Sequence, residues 1–265
     1  MKILIVGGSG LLGTSLKSHL EKKGHSVEII GREGCRDVNG FVETMGRSDF
    51  VFFLAFKAGG AVYLKERQFG YDFISENVAI MSNVFHALKC TGVPFIYTST
   101  QMATMNHSAY GTMKRLAEFY TQSLGGLFVR FWNVYGLEKH KEKFHALCDF
   151  CYMAKYNKLI RMKTNGKESR QFLHVDDCCK ALITVLDNYN QFAGKPLDIT
   201  NFEWVTMIEV ARTVSRLAGD VQVVSSTDTD WVQKDAKVQP NPFLLDYWKP
   251  EISLEKGLAQ ILIEI

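Results

Sequence analysis

Short apolar-rich runs recur through the first half of the chain at Ile3–Val6, Val27–Ile30, Phe50–Leu54, Phe95–Thr98 and Leu127–Phe131. Each is too short for a buried helix, and Asp49 or Gly92 and Pro94 punctuate the approaches. Between them, Leu11–Lys22 is amphipathic at helical spacing, with Gly24 placed for a C-terminal cap, and Ile74–Lys89 and Tyr110–Leu124 also read as helices. Near-continuous apolar strands alternating with helices predict a parallel sheet covered on both faces. The fold class expected is therefore α/β, a doubly wound parallel sheet.

After Gly136 the alternation loosens. Phe144–Lys155, Asp176–Leu186 and Thr206–Leu217 predict helices, and Pro196–Ile199 and Val221–Val224 short strands. Asp228–Pro242 is polar with two prolines and reads as a loop. We expect a nucleotide-binding domain over residues 1–136. A small α/β substrate lobe over 137–265, partly interleaved with the first, would close over the strand C-termini, where open sheets bind ligands.

Bulk properties narrow the class. A chain of 265 residues can bury a sizeable core as one domain with a small appendage. The net charge of +3 is too mild to argue for nucleic acid. No apolar run approaches the roughly 20 residues of a membrane helix. The first strand begins almost at Met1, which leaves no room for a signal peptide, so a cytoplasmic enzyme with no membrane partner is expected. Six cysteines form no framework: Cys148 and Cys151 make a CxxC within a helix, and no second pair stands at zinc-finger spacing. They are expected to be idle thiols, and no metal site is expected.

Two motifs carry the chemistry. Gly7, Gly10 and Gly13 fit GxxGxxG between a strand and a helix, with Ser9, Leu11 and Leu12 filling the turn. Such glycines let backbone N–H groups approach a pyrophosphate at a helix N-terminus. The second strand ends in Arg32 rather than in a carboxylate. A guanidinium there suits a 2′-phosphate, which favours NADP and leaves NAD possible. A hundred residues on, Tyr110 stands four residues before Lys114, so both share a helix face. A lysine cation and a nicotinamide's positive charge would favour phenolate and make Tyr110 a usable acid and base. A hydroxyl from the strand end, Thr100 or Ser99, would hold the substrate oxygen.

With these residues in place the chain resembles the extended short-chain dehydrogenase/reductases, the NAD-dependent epimerase/dehydratases. The resemblance runs through Gly7–Gly13, Leu54-Ala55, Asn77-Val78 and Thr98–Thr100. It continues through Tyr110–Lys114, Arg130–Gly136, Arg170–Asp177 and Trp248–Pro250 with Leu254–Leu258. It implies a Rossmann-type fold, activity on a nucleotide-activated sugar, and a homodimer formed through the helices at 74–89 and 110–124. By position it makes Thr100 the catalytic hydroxyl, Tyr110 the acid/base and Lys114 the ribose-binding lysine. Leu54 and Ala55 fall beside the cofactor, and Asn133 and Arg170 on the substrate's phosphates. His174–Asp177 is expected to be structural, with Asp176 or Asp177 capping the next helix.

Local similarity to the GDP-fucose synthases within that family, at Phe56–Gly60 and Asp72–Asn77, sets His145 near an acid/base histidine. The partner cysteine of those enzymes is unmatched in Gln101-Met102-Ala103. Only nine residues separate Thr100 from Tyr110, a stretch that usually shapes the sugar pocket. The expected function is NADP(H)-dependent 4-keto reduction or C4 epimerisation of a nucleotide sugar. The alternatives are a reductase of another small carbonyl substrate, and a non-catalytic dinucleotide- or RNA-binding relative.

Overall fold

Apolar runs become strands here because both faces of the sheet are covered. In the computed structural model, which describes residues 1–138, 141, 144–230, 232–233 and 238–265, β1 (Lys2–Val6) is buried from Ile3 onward. It leads through α1 (Leu11–Lys22) to β2 (Ser26–Ile30), a half-exposed edge strand. The chain then crosses back through α2 (Val38–Gly46) to β3 (Phe50–Phe53), which pairs with the other side of β1. α3 (Ala61–Arg67) and α4 (Tyr71–Thr91) precede β4 (Phe95–Thr100), and α5 (Ala109–Ser123) precedes β5 (Leu127–Phe131).

The second half adds β6 (Asn133–Tyr135), α6 (Ala146–Tyr152), β7 (Leu159–Arg161), β8 (Ser169–Arg170) and β9 (Phe172–His174). α7 (Val175–Asp187) returns to the main sheet and is followed by its last strand, β10 (Asp198–Ile199). β11 (Val205–Thr206), α8 (Met207–Leu217), β12 (Gln222–Val224) and α9 (Leu254–Glu264) complete the described elements.

The central sheet has the order β10-β5-β4-β3-β1-β2, all parallel. The order reverses between β1 and β3, so the crevice outside their C-terminal ends is the switch point where such sheets take ligands. α1 and α7 pack together on one face over Ile3, Ile5, Phe50 and Phe52. On the other face Leu4, Val6, Val51 and Phe53 meet α2, α4 and α5. The alternation of side chains along β1 and β3 thus feeds both cores. A third core, including Leu147, Phe150, Val210, Val214, Leu258 and Ile261, joins α6, α8 and α9.

Some elements differ from the sequence expectation. The helix expected over 144–155 begins at Ala146, with His145 extended as its N-cap (φ −82°, ψ 167°) and its N–H given to the Glu138 carboxylate, and it widens over Met153–Asn157. α4 is longer at both ends than Ile74–Lys89, and α2 and α3 were not expected. The strand expected from Pro196 is reduced to the two residues that pair with Arg130 and Phe131. Within the polar stretch 228–242, residues 231 and 234–237 lie outside the described residues. α7 is capped at its N-terminus by the His174 side chain, while Asp177, fully buried, accepts the backbone N–H groups of Glu251 and Ile252. Among the described residues, no helix is long and apolar enough to cross a membrane.

Candidate active site

Close backbone contact shapes the glycine turn. Gly7 has φ +86°, and a Cβ there would lie 2.3 Å from Ala55 Cα, so only glycine lets the β1 turn touch the exit of β3. A Cβ at Gly13 would lie 2.3 Å from Gly8 Cα, which presses α1 against its own turn. Gly10 is different. It is the N-cap of α1, makes no side-chain cap, and a Cβ on it would meet no protein atom within 4 Å. Ser9 and Gly10 are exposed, while the Leu11 and Leu12 side chains turn into the core. An uncapped helix end facing open space at the switch point fits a pyrophosphate. Leu54 is tied to β1 through its N–H to Val6 O (2.8 Å). Arg32 follows β2 at this same edge, exposed, its side chain engaged by no hydrogen bond or ion pair among the described residues.

The Thr100–Tyr110 pair is set by how α5 docks. Thr100 ends β4, and a short helical turn over Gln101–Thr104 brings the chain back. Ser108 caps α5, accepting the Gly111 N–H at 3.0 Å. The Ser108 hydroxyl (2.9 Å) and the Tyr110 N–H (3.4 Å) both donate to Oε1 of Gln68, a fully buried side chain just after α3. A Cβ on Gly111 would sit 2.0 Å from Met102 O, so this glycine lets the first turn of α5 lie on the backbone after Thr100. Burial pushes the Tyr110 phenol up to about 12, against the pull of a side-chain hydrogen bond with Thr100.

Tyr110, Lys114 and Glu118 form one stripe along α5. Lys114 is buried, and its Nζ donates to Thr98 O at 2.7 Å. Burial lowers its pKa to about 7, with the Glu118 carboxylate acting in the opposite direction. Glu118, 1% exposed, accepts from Ser99 Oγ (2.6 Å), from Arg130 through Nε (2.8 Å) and Nη2 (2.7 Å), and from Arg115 (2.8 Å). Burial raises its carboxyl, but the hydrogen bonds from Arg130 and Ser99 and the charge of Arg130 outweigh that and hold it below the usual carboxylate range.

Ser99, expected as a candidate for the substrate, gives its hydroxyl to Glu118, and alternation along β4 points it away from Thr100. Glu118, Arg130, Gln68 and Gly111 were missed as site residues. The one signal for Glu118 was its position one further turn along the Tyr110–Lys114 face.

The remaining expected residues lie on the second-half elements. Asn133 opens β6, and its backbone and side-chain amides both donate to Gln171 O (each 3.2 Å). Gln171 is flanked by Arg170, which is buried and ion-paired with Asp230. Gln233 bridges inward, donating to Asn133 Oδ1 (3.4 Å) and accepting from Gln101 beside Thr100 (3.1 Å). Asn133, Arg170 and the turn after Thr100 are thus joined through Gln171, Asp230 and Gln233. His145 stands apart from that chain of contacts. It is largely exposed at the start of α6, beside Gly60, and its Nδ1 lies 2.6 Å from Glu138. A hydrogen bond with Glu138 raises its pKa.

Known proteins resemble the chain along most of its length. The model of the NAD dependent epimerase/dehydratase family matches residues 3–199. A UDP-2-acetamido-2,6-beta-L-arabino-hexul-4-ose reductase from Pseudomonas aeruginosa is 26% identical over 195 residues, which cover 71% of this chain and 50% of that protein. A putative GDP-L-fucose synthase from Arabidopsis thaliana is 26% identical over 301 residues, covering 98% of this chain and 90% of that protein. Among solved structures, a UDP-glucose 4-epimerase from Thermotoga maritima superposes with TM-score 0.83 at 19% identity, covering 99% of this chain and 98% of that one. At that identity the likeness speaks for the fold.

Proposed function

The chain belongs to the NAD dependent epimerase/dehydratase family, and from that premise we propose that it is an NADP(H)-dependent oxidoreductase acting on a nucleotide-activated sugar. The reaction is reduction of a 4-keto group or epimerisation at C4. The observation that carries this reading is the juxtaposition of Thr100, Tyr110 and buried Lys114 beside the β1–β3 switch point. The relatives named for a hexul-4-ose reductase and a GDP-L-fucose synthase support the substrate class.

The cofactor's pyrophosphate belongs at the Gly7–Gly13 turn against the N–H groups of Leu11, Leu12 and Gly13, with Leu54 and Ala55 beside it. Arg32 takes a 2′-phosphate, and Lys114 takes the nicotinamide ribose. When bound, the nicotinamide supplies or accepts a hydride. Thr100 holds the sugar oxygen by a hydrogen bond. Tyr110, whose phenol burial keeps protonated at neutral pH, gives its proton to that oxygen as a keto group is reduced. In the oxidative direction it takes the proton back. Arg170 and Asn133 serve the diphosphate, Arg170 by its planar fork once released from Asp230. His145, with Glu138 favouring its charged form, would protonate a ring carbon only in an epimerisation next to the 4-keto group; inversion at C4 itself, by return of the hydride, does not use it.

A reductase of a different small carbonyl substrate is the second reading. The short stretch between Thr100 and Tyr110 favours it, because a four-residue turn and the Ser108 cap fill much of that stretch. We also read the chain as a dinucleotide-binding domain over residues 1–136 and a small substrate lobe over 137–265 that is partly interleaved with it, since α7 and β10 return to the main sheet. The chain is further proposed to pair as a homodimer through α4 and α5. Tyr71, Ile74 and Val78 on one helix and Leu116, Phe119 and Tyr120 on the other are exposed at same-face spacings. A monomer mass by light scattering at micromolar concentration overturns the dimer.

The decisive test incubates the protein with NADPH and a panel of nucleotide 4-keto-sugars, following absorbance at the reduced nicotinamide and identifying products. Oxidation by at least one is expected, together with loss of turnover but retained NADPH affinity in Tyr110→Phe. No oxidation with any panel member refutes the nucleotide-sugar reading.

A further inference from the structure

Phe56 is the first residue beyond the Leu54-Ala55 exit of β3, and it touches both members of the Tyr110–Lys114 pair. Its ring stands edge-on to Tyr110 with centroids 5.3 Å apart and an interplanar angle of 81°. The Lys114 Nζ lies 4.5 Å from the Phe56 centroid, 4.9 Å from that of Tyr97 and 6.0 Å from that of Tyr110. Phe73 on α4 backs Phe56 from behind at 6.4 Å. Lys114 has three N–H donors, and its only hydrogen bond among the described residues is to Thr98 O. The ammonium is therefore held by one carbonyl and enclosed by three ring faces.

We propose that Phe56 is a positioning residue for the proton relay: with Tyr97 it forms an aromatic cage that keeps Lys114 charged and aimed beside Tyr110. The inference rests on the proposed function, in which a charged Lys114 is required. The physical need is plain. An ammonium removed from water loses hydration, and a ring quadrupole replaces part of it without a counter-charge that would neutralise the cation's influence on the phenol. The charged and titratable groups facing Lys114 are Glu118, one turn along α5, and the phenols of Tyr110 and Tyr97. Glu118 is already engaged by Arg130, Arg115 and Ser99, so it is not a dedicated partner for the lysine. Lys57, on the same loop as Phe56, is paired with Glu76.

The test reads Lys114 directly. Protein labelled with 13C at lysine Cε is titrated by NMR without cofactor, the Lys114 signal being assigned by its absence in Lys114→Met. Phe56→Leu should lower the Lys114 midpoint by about one pH unit, the scale of a desolvated cation–π contact. Pentafluorophenylalanine at position 56 keeps the ring's shape but reverses its quadrupole. It should lower the midpoint at least as far, since the reversed ring repels the ammonium, and it covers the case in which Phe56→Leu does not fold. Phe56→Trp should hold the wild-type midpoint. In turnover, the alkaline limb of kcat/KM should move to lower pH in the first two variants and not in the third. A wild-type Lys114 midpoint in the pentafluoro protein overturns the cage. Absence of turnover with any nucleotide sugar overturns the functional reading instead, and leaves the titration to decide the role of Phe56.

Discussion

Replacing Gly111 by alanine separates two opposed physical effects at one position. In an ordinary helix interior the change stabilises by about 1 kcal/mol, because glycine loses more backbone freedom on folding. Here the new Cβ would fall 2.0 Å from the Met102 carbonyl oxygen and 2.8 Å from its carbon. An unstrained carbon–oxygen contact needs about 3.3 Å, so α5 or the turn after Thr100 must retreat by roughly 1.3 Å. The obstacle is backbone, with no flexible side-chain end to swing aside. Overpacking of this kind costs about 1–3 kcal/mol and outweighs the helix gain. The retreat also parts Tyr110 from Thr100, and a misplacement of about 1 Å at a reacting group costs on the order of 100-fold in rate. The assay is urea denaturation for stability, with turnover on whichever keto-sugar the wild type reduces. Gly46→Ala is the control: its Cβ meets only Thr91 Cγ2 at 3.6 Å, and it should be neutral or slightly stabilising. A Gly111→Ala protein as stable and as active as wild type would refute the claim that this contact sets the Thr100–Tyr110 spacing.

Glu118→Gln should destabilise by about 3 kcal/mol, since it leaves the Arg130 guanidinium without its buried carboxylate; a change below 1 kcal/mol in denaturant melts would count against the network. The wild-type carboxyl is held below its unfolded value, so its contribution is present above about pH 4.3 and is lost as pH falls through the lower folded value. Stability profiles of wild type and Glu118→Gln should therefore draw together as pH falls below about 4.3 and meet only below the lowered folded value. Arg32→Ala should weaken NADPH binding at least tenfold, the loss of a charge-assisted hydrogen bond, and leave NADH binding unchanged. Equal effects on both cofactors, measured by fluorescence titration, would remove Arg32 from the 2′-phosphate site.

The central sheet was legible because its strands are buried on both faces and so read as unbroken apolar runs. Phe50–Phe53 is the plainest case. Among features carried by only two or three residues, β10 and β12 were legible and others were not. β8, β9 and β11 exist because of tertiary pairing, and their sequences carry no period long enough to detect. α3 was missed because its seven residues span barely two turns, and only Leu64 is buried. In the site, the GxxGxxG turn and the Tyr110–Lys114 spacing were visible because each lies within one stretch of chain. Which way the Ser99 hydroxyl faces was not legible, because strand alternation decides it and its partner, Glu118, stands nineteen residues away. Gln68, forty residues from Ser108, left no sequence signal.

The two ends of the candidate site differ in what fixes them. At the chemical end, Thr100, Tyr110 and Lys114 are held by backbone contact, a helix cap and a buried carboxylate network, all within the β4–α5–β5 unit. At the proposed substrate end, Arg170, Asn133 and Gln101 are held by Asp230 and Gln233, side chains from the polar stretch that follows β12. An anionic ligand at Arg170 has to replace the Asp230 carboxylate, and one at Asn133 has to replace the Gln233 amide. In the proposed reading the reaction type therefore follows from packing inside the sheet domain, and substrate choice from how readily those two side chains yield.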